Sequence, residues 1–470
     1  MTLEEERQRT RRLPGAQLGA PDAVPARADL AVILAAGEGS RFGWDDGPKP
    51  LVRVLGLTLA ERVVDACLAV GVKRFVFVLG HRSEEVRACL EPAMRRRGCT
   101  TEFVVAEHWE RGNAASALSA APVAQDRCFL LLMCDHLVSQ AILSSVLEVD
   151  PGRGGVCLAV DHTRPAVFDP DDATRVVVAD GRVLRLGKGL KRWNGTDTGV
   201  FHCSQGLFDG LRRAADHGVH SLTDGMNELA IAGHLAAVDV TGEWWLDVDT
   251  PRVARDARGL LLRGLAKPQA DGFVARYLNR PLSTRISARL SATSITPNQM
   301  TVLAFGVAVA GAALFALGSL VGNVLGAMLV QLASIVDGCD GELARLTHTE
   351  SRRGGWLDTV LDRYADLAIV AGVGFGGGYA DPLIWGGTLM AAAGFILASY
   401  VTKEFLLRHG RPYPTDVPAR LKKRDLRLFA IFVGGLANHP FTALLAVGVL
   451  SHVCVVVILA RGWRLGAPAD

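Results

Sequence analysis

Four aspartates in the last third of the chain are spaced as residues that share one face of a helix. Asp337 and Asp340 are three positions apart, and Asp358 and Asp362 are four apart. Residues at these intervals lie on one side of an α-helix, and both segments are otherwise largely apolar. Carboxylates in apolar helices are costly and require a cation, a charged partner or a role in proton transfer. Because oxygen ligands favour Mg²⁺ and also suit Mn²⁺, the four aspartates predict a divalent metal site.

A glycine-rich segment near the start of the chain carries a second set of candidate residues. It follows a short apolar strand at residues 29–34, and it contains Gly37, Gly39 and Arg41. Glycines allow backbone N–H groups to approach a phosphate chain, and the basic side chain adds positive charge. A glycine-rich turn alone is weak support for a site, but the Pro-Lys-Pro sequence around Lys49 makes the pattern more specific. We therefore predict a phosphate-binding loop.

The first 265 residues alternate between apolar strands and helical stretches. Strands are predicted over residues 29–34, 75–79, 103–106, 129–133, 156–160 and 235–240, with helices such as 59–70 and 114–121 between them. This alternation predicts an α/β domain with a mostly parallel, doubly wound sheet of the Rossmann-like mixed type. The loop and its basic residues would then lie at the carboxyl end of the first strand.

The remaining chain predicts an all-α membrane domain. Residues 271–290 mix bulky apolar groups with four arginines, which suits an amphipathic helix on an anionic membrane surface, although a solvated linker helix is the alternative. Thr296 and Pro297 then suit the N-cap and first turn of a helix. Six candidate spans follow, at about 299–318, 321–345, 356–378, 383–402, 427–437 and 440–461. The fifth is short for a membrane span, which needs about 20 apolar residues.

Charge and cysteine placement limit the class and location of the protein. Lys and Arg cluster in the loops on one side of the six spans, so the positive-inside rule puts both ends and the first domain in the cytoplasm of a multi-pass membrane protein. The formal net charge of +3 gives no support to nucleic-acid binding. The nine cysteines contain no CxxC pair, which argues against a zinc site or a disulfide framework.

The predicted organisation has four parts. Residues 1–28 lack the apolar core of a signal peptide, and we expect a disordered leader there. The α/β domain is predicted at 29–262, a linker with the juxtamembrane helix at 263–298, and the six-helix transmembrane domain at 299–465.

The first domain resembles the sugar-1-phosphate nucleotidyltransferases over about residues 29–255. Their signature LAAGxGxR followed by PKP is present, as are segments similar to the family's base-binding segment and its two metal-binding strand ends. The resemblance implies catalysis by Lys49 and metal ligation by Asp135 and Asp249. It implies a nucleotide site formed by Leu34, Ala36, Gly37, Gly39, Arg41, Lys49, Gly112, Asn113 and Ser116. Lys188 or Lys191 could take the acceptor phosphate, unless both belong to a solvated loop.

The second domain resembles the CDP-alcohol phosphotransferases over about residues 271–465. Their signature, DxxDGxxAR followed after eight residues by GxxxDxxxD, is complete here. The resemblance implies that Asp337, Asp340 and Asp358 bind metal. It casts Asp362 as the base that deprotonates the acceptor hydroxyl, and Asp362 also remains a candidate ligand. A nucleotide site is implied at Gly341, Ala344 and Arg345.

Several residues near this second signature are open to two interpretations. Arg352, Arg353, Lys423 and Arg424 could hold an anionic acceptor, or they could be plain positive-inside flanking residues. Asp366 follows the signature by one helical turn and is predicted to be a polar helix end.

The order of the two domains and the segment KGLKRWNGTDTG resemble the bifunctional inositol-1-phosphate cytidylyltransferase and di-myo-inositol-phosphate-phosphate synthase family. The resemblance implies that CTP and inositol 1-phosphate give CDP-inositol, which a second inositol 1-phosphate converts to phosphorylated di-myo-inositol phosphate. It also implies a membrane homodimer in contact with lipids. Two alternatives remain: the same chemistry on another alcohol phosphate or a phospholipid acceptor, and a nucleotidyltransferase whose second domain is only an anchor.

Overall fold

The computed structural model describes residues 28–39, 47–124, 126–163, 173–266, 271–378 and 380–464. The predicted leader therefore lies outside the described residues, apart from Ala28. The chain divides into two compact units, Met1–Arg258 and Gly259–Asp470. The boundary predicted at residue 262 falls inside one helix, Pro251–Gly264.

The first unit contains the strands and the shorter helices. Its strands are β1 Leu30–Ala35, β2 Arg53–Val54, β3 Leu57–Thr58, β4 Arg74–Leu79, β5 Thr100–Val105, β6 Phe129–Met133, β7 His136–Val138, β8 Val156–Asp161, β9 Arg175–Ala179, β10 Arg182–Gly187, β11 Gly195–Cys203, β12 Leu235–Asp239 and β13 Trp245–Asp247. Its helices are α1 Leu59–Ala69, α2 Ser83–Arg97, α3 Asn113–Ser119, α4 Ala121–Ala124, α5 Gln140–Leu147, α6 Gly206–Asp216, α7 Leu222–Ile231 and α8 Pro251–Gly264.

Nine of these strands form one mixed sheet in the order β5-β4-β1-β6-β11-β8-β12-β10-β9. Strands β5, β4, β1 and β6 are parallel, as the sequence predicts. The prediction of a mostly parallel sheet holds only for part of it. Strand β12 is parallel to β8, but β11 runs antiparallel to β6 and β8, and β10 runs antiparallel to β12 and β9. The sequence pattern did not predict β9, β10 or β11. Charged or polar residues interrupt the apolar pattern of β10 and of the first half of β11, so neither presents a continuous apolar run.

Both faces of the sheet are buried. In β1, Ala31, Ile33 and Ala35 pack into one apolar cluster, while Leu30 and Val32 pack into the other. Alternate residues of a strand point to opposite faces, so a run that is apolar throughout can fill two layers. The polar chemistry is thereby confined to the strand ends, where β1 and β6 lead into the loops of the candidate site.

The second unit is helical. Its helices are α9 Arg280–Leu290, α10 Pro297–Ala316, α11 Leu320–Leu346, α12 Arg352–Gly378, α13 Pro382–His409, α14 Val417–Leu421, α15 Arg424–Leu436 and α16 Pro440–Arg464. Helix α10 packs against α11 and α12, and α15 packs against α11 and α16. Thr296 caps α10 as predicted: its hydroxyl accepts from the Gln299 backbone N–H, and the Gln299 side chain accepts from the Thr296 N–H.

Among the described residues, four helices are long and apolar enough to cross a membrane: α10, α11, α13 and α16. The prediction of six spans is not confirmed. Helix α12 has the length, but its first turns carry several charged residues, including Asp358 and Asp362 of the signature. Helix α15 has 13 residues and is about 20 Å long, well short of a hydrocarbon core of about 30 Å.

Helix α9 turns its polar face inward. Glu342 of α11 is fully buried and accepts hydrogen bonds from Ser283 Oγ at 2.6 Å and from Ser287 Oγ at 2.7 Å. Arg280 Nη1 donates to the same carboxylate at 2.7 Å. Phe273, just before α9, is exposed. The helix is therefore attached to α11 through its hydroxyl groups, and its position on a membrane surface stays a prediction.

Candidate active sites

A cleft of about 840 Å³ in the first unit gathers most of the residues that the sequence assigns to it. It is lined by Leu34, Ala36, Gly37, Gly39, Lys49, Gly112, Asn113, Ser116, Asp135, Lys188 and Asp249. Lys191 is exposed and does not line the cleft. Arg41 lies outside the described residues. Of the two lysines considered for the acceptor phosphate, only Lys188 borders this space.

Lys49 is the central cation of the cleft. Its Nζ lies 2.6 Å from Asp135 Oδ2 and also forms a close ion pair with Asp249. Burial opposes the charge of the ammonium, but Asp135, Asp247 and Asp249 outweigh it and raise the pKa of Lys49 above its ordinary value. Gly39, at φ +69°, lies against this side chain, because a Cβ there would meet Lys49 Cβ at 2.7 Å. The position of the Lys49 side chain therefore depends on a glycine at residue 39.

His136 and two further acids extend this cluster. His136 Nδ1 lies 2.8 Å from Asp135 Oδ1 and 3.9 Å from Asp247 Oδ1. Burial favours neutral imidazole, but the charge of Asp247 and the hydrogen bond to Asp135 raise the pKa of His136 to about 9. Burial raises the pKa of Asp197 to about 6. The sequence predicts no role for these three residues, although His136 adjoins Asp135 and Asp247 lies two residues before Asp249, in the two segments that resemble the family's metal-binding strand ends.

The acids of the first unit fit a divalent cation. Asp135, His136 and Asp247 offer ligand atoms within 4.8 Å of one another. Asp249 is not one of these three residues, but its carboxylate and that of Asp135 both contact the Lys49 ammonium. Carboxylate oxygens are the ligands that Mg²⁺ and Mn²⁺ prefer. The assignment of Asp135 and Asp249 as the ligands remains a proposal.

In the second unit, helices α11 and α12 bring three of the four signature aspartates together. Asp337, Asp358 and Asp362 offer ligand atoms within 4.8 Å of one another. Asp340 Oδ2 accepts a hydrogen bond from Thr301 Oγ1 at 2.6 Å, and Oδ1 accepts from the Gly341 backbone N–H. The contact with Thr301 does not follow from the signature, which does not include that residue.

Arg424, which the sequence placed among the candidates for the acceptor phosphate, lies against this cluster. Its Nη1 is 3.0 Å from Asp337 Oδ2 and 2.8 Å from Asp362 Oδ1, and its Nε donates to Asp366 Oδ1 at 2.8 Å. The expectation that Asp366 is a polar helix end is wrong, since the residue is only 2% exposed. Its neighbours, Arg363 and Arg424, neutralise a charge that would be costly alone.

The balance of charge in the second site also fits a divalent cation. Five carboxylates lie here, those of Asp337, Asp340, Asp358, Asp362 and Asp366. Three guanidinium groups, those of Arg363, Arg424 and Arg427, face them. The carboxylates outnumber these guanidinium groups by two, an excess that one divalent cation would balance. Uncompensated charge in an apolar bundle is costly, so the donor set suits Mg²⁺ or Mn²⁺.

The other predicted residues of the second site have different surroundings. Gly341 leaves room for the signature arginine, because a Cβ there would meet Arg345 Nη1 at 3.2 Å. Ala344 is buried one turn further along α11. Arg352 and Arg353 are exposed at the start of α12. Lys423 is half-buried beside Arg424.

Two family models match the two units. Residues 31–224 match the MobA-like NTP transferase domain, and residues 294–463 match the CDP-alcohol phosphatidyltransferase family. The chain is therefore an enzyme of the transferase class, with a nucleotidyltransferase domain followed by a CDP-alcohol phosphotransferase domain.

Curated relatives cover nearly the whole chain. The bifunctional IPC transferase and DIPP synthase of Rubrobacter xylanophilus is 40% identical over 90% of this chain and 94% of its own length. The protein of the same description from Thermococcus kodakarensis is 36% identical over 86% of this chain and 89% of its own length. The chain belongs to the family of bifunctional IPC transferases and DIPP synthases. A solved structure, the inositol-1-phosphate CTP transferase from T. maritima, is 25% identical over 49% of this chain and 93% of that chain, with a TM-score of 0.45.

Proposed function

We propose that the two units catalyse two successive transfers, the first from CTP and the second from its product CDP-inositol. In the first, a phosphate oxygen of inositol 1-phosphate attacks the α-phosphorus of CTP, and the bond to the β-phosphate breaks to give CDP-inositol and pyrophosphate. In the second, a hydroxyl of another inositol 1-phosphate attacks the inositol-bearing phosphorus of CDP-inositol and releases CMP. The product is di-myo-inositol phosphate phosphate. The names of relatives that match along both units support these substrates.

One observation carries the proposal: each unit holds a basic side chain between carboxylates that also suit a divalent cation. Lys49 pairs with Asp135 and Asp249, and Arg424 pairs with Asp337 and Asp362. Reactions between anions need cations and an in-line arrangement of the reacting groups. A divalent cation, which we propose to be Mg²⁺, would supply charge neutralisation and alignment when bound.

In the first unit, we assign the nucleotide to the glycine loop and to the wall formed by Gly112, Asn113 and Ser116. Lys49 neutralises the reacting phosphates, and Lys188 at the edge of the cleft holds the acceptor phosphate. Asp135 and Asp249 are the proposed metal ligands. Their pairing with Lys49 keeps the ammonium charged and directed into the cleft.

In the second unit, Asp337, Asp340 and Asp358 are the proposed metal ligands. Asp362 takes the proton from the attacking hydroxyl, while Arg345 holds the nucleotide with Gly341 and Ala344 leaving room for it. Arg424 is the best-supported candidate for the acceptor phosphate, because its guanidinium already lies at the aspartates. Arg352, Arg353 and Lys423 are further candidates.

We also propose a cytoplasmic nucleotidyltransferase domain, cytoplasmic ends and a homodimer in the membrane. The distribution of Lys and Arg between the loops supports this orientation. Helices α12 and α15 would complete the six-helix domain, with their polar turns near the membrane surface or shielded by the other helices.

The direct test uses the purified full-length protein in detergent with labelled CTP, inositol 1-phosphate and Mg²⁺. We expect pyrophosphate and CDP-inositol first, and then CMP and the phosphorylated di-inositol product. Formation of CDP-inositol without any CMP would favour a non-catalytic anchor. Release of CMP only when a phospholipid or another alcohol phosphate is added would show that the acceptor is a different molecule and that the type of reaction is unchanged.

A further inference from the structure

The carboxylate of Asp366 is buried beside the second site and has no part in the chemistry proposed above. It follows Asp362 by one turn of α12, and its side chain is 3% exposed. Its Oδ1 accepts from Arg424 Nε at 2.8 Å, and its Oδ2 lies 3.2 Å from Arg363 Nη1. A carboxylate at this depth is tolerated only when it is paired. The contribution of Asp366 therefore lies in the arginine side chains that it contacts.

The contact between Asp366 and Arg424 fixes a direction as well as a charge. A guanidinium is planar, and its donors form a rigid fork. When Nε is bound to Asp366, Nη1 points to Asp337 at 3.0 Å and to Asp362 at 2.8 Å. A lysine ammonium at this position would have no such second point of attachment.

The arginines that contact Asp366 belong to α12 and α15, and two of them are anchored in turn on α13. Arg427 Nη2 of α15 lies 3.6 Å from its Oδ2, and the Arg427 guanidinium packs 4.2 Å from the ring centroid of Phe395 in α13. Arg363 of α12 donates to Ser399 Oγ of α13 at 2.6 Å. Each neighbour of the carboxylate is thus anchored elsewhere, so Asp366 is a fixed support for Arg424.

We propose that Asp366 is a positioning residue that directs the Arg424 guanidinium to the Asp337–Asp362 cluster, where Arg424 binds the phosphate group of the acceptor. The inference rests on the second reaction proposed above. A phosphate monoester that approaches this cluster is repelled by its carboxylates, and a fixed guanidinium offsets that repulsion and can bind two phosphate oxygens at once. Asp366 thereby favours an acceptor that carries a phosphate over the same alcohol without one.

The test compares Asp366→Asn and Arg424→Gln with the native full-length protein in detergent, supplied with CDP-inositol and Mg²⁺. Rates of CMP release are measured with inositol 1-phosphate and with unphosphorylated inositol. We expect Asp366→Asn to raise the KM for inositol 1-phosphate by about tenfold or more, as for a lost charge-assisted hydrogen bond. The KM for CDP-inositol and the rate with inositol should change little. Glu404→Gln, which removes a carboxylate paired to Arg408 on α13, is the matched control.

A double variant shows whether Asp366 acts through Arg424 or independently of it. The double variant Asp366→Asn with Arg424→Gln should have the same KM for inositol 1-phosphate as Arg424→Gln alone, because both changes remove one interaction. Additive effects, or a lower kcat at unchanged KM and unchanged preference for the phosphorylated acceptor, would overturn the proposal.

If Asp366→Asn does not fold, the variant Arg424→Lys tests the positioning role in its place. This variant retains a positive charge but loses the fork to Asp366, so its KM for inositol 1-phosphate should approach that of Arg424→Gln. A KM equal to the native value overturns the positioning role. If the native protein releases no CMP with any acceptor, the second reaction itself is wrong, whereas native activity with unaltered variants refutes only the role of Asp366.

Discussion

Lys49 Nζ lies 2.6 Å from Asp135 Oδ2, and the two side chains are 11% and 19% exposed. Arg424 makes the equivalent contact in the second unit, where its Nη1 lies 3.0 Å from Asp337. In both units, a basic side chain of a kind that binds phosphate neutralises part of the charge of the carboxylates. The remaining charge suits a divalent cation. The substrate phosphates and the cation would therefore enter sites whose charge is already partly balanced.

Loss of Lys49 should separate the two activities. We expect Lys49→Ala to lower CDP-inositol formation by about 10²–10³-fold, the usual cost of a lost electrostatic stabiliser. Consumption of added CDP-inositol should be unaffected, since that step is assigned to the other unit. Both rates are measured on the same preparation, with the exposed Lys73→Ala as control. Loss of both activities in a folded Lys49→Ala protein would refute two separate sites.

Gly199 should be required for the position of His136. A Cβ at Gly199 would meet His136 Cδ2 at 2.5 Å, so Gly199→Ala must displace the imidazole that contacts Asp135. Gly218 has a similar φ of +77° but no atom within 4 Å, so Gly218→Ala carries the same backbone strain without the clash. We expect CDP-inositol formation to fall in Gly199→Ala and to stay near native in Gly218→Ala. Equal activity in the two variants would show that the native position of His136 is not needed.

In the second site, substitution of a base and substitution of a metal ligand should have different effects on turnover and on Mg²⁺ binding. Asp362→Asn retains the side-chain volume but cannot take a proton, and turnover should fall by about 10²–10⁴-fold, as for lost general-base catalysis. Mg²⁺ and CDP-inositol binding should largely survive.

The comparison for Asp362 uses Asp337→Asn and Asp340→Asn. These variants should bind Mg²⁺ more weakly and recover part of their activity at high Mg²⁺. Metal-dependent nucleotide binding is measured beside turnover for all three. Rescue of Asp362→Asn by excess metal, with an equal loss of affinity, would make Asp362 a ligand.

Glu342 should contribute strongly to the stability of the helical unit. Glu342→Ala would leave Arg280 and two serine hydroxyls without their shared acceptor, at a cost of about 3–5 kcal/mol for a broken buried ion pair. The midpoint of thermal unfolding in detergent, followed by near-ultraviolet circular dichroism, should fall well below that of the exposed control Glu350→Ala. Equal midpoints would mean that α9 is held by other contacts.

The first unit should fold alone. A fragment that ends at Leu265 contains all of the nine-stranded sheet and ends just after α8, before the four candidate spans. We expect it to be soluble without detergent and to form CDP-inositol. An aggregated or inactive fragment would show that the first unit depends on the second.

Local sequence patterns were sufficient for the features that depend on neighbouring residues. The spacing of Asp358 and Asp362 put both on one face of α12, and Thr296 and Pro297 marked the start of α10. The apolar strands β1, β4 and β6 were predicted within about a residue of their ends. These features follow from helical periodicity, capping and burial of short apolar runs, all of which act over a few positions.

Contacts between distant residues were not accessible in this way. Lys49 meets Asp249 across 200 positions, and Arg424 meets Asp337 across 87. Asp366 looked like a polar helix end because its partners Arg424 and Arg427 come from another helix. The antiparallel direction of β11 likewise depends on which strands it pairs with. Sequence alone determined the two signatures and the helices and strands that carry them, whereas tertiary packing decided which charges meet, because the pairing of buried charges depends on positions in space.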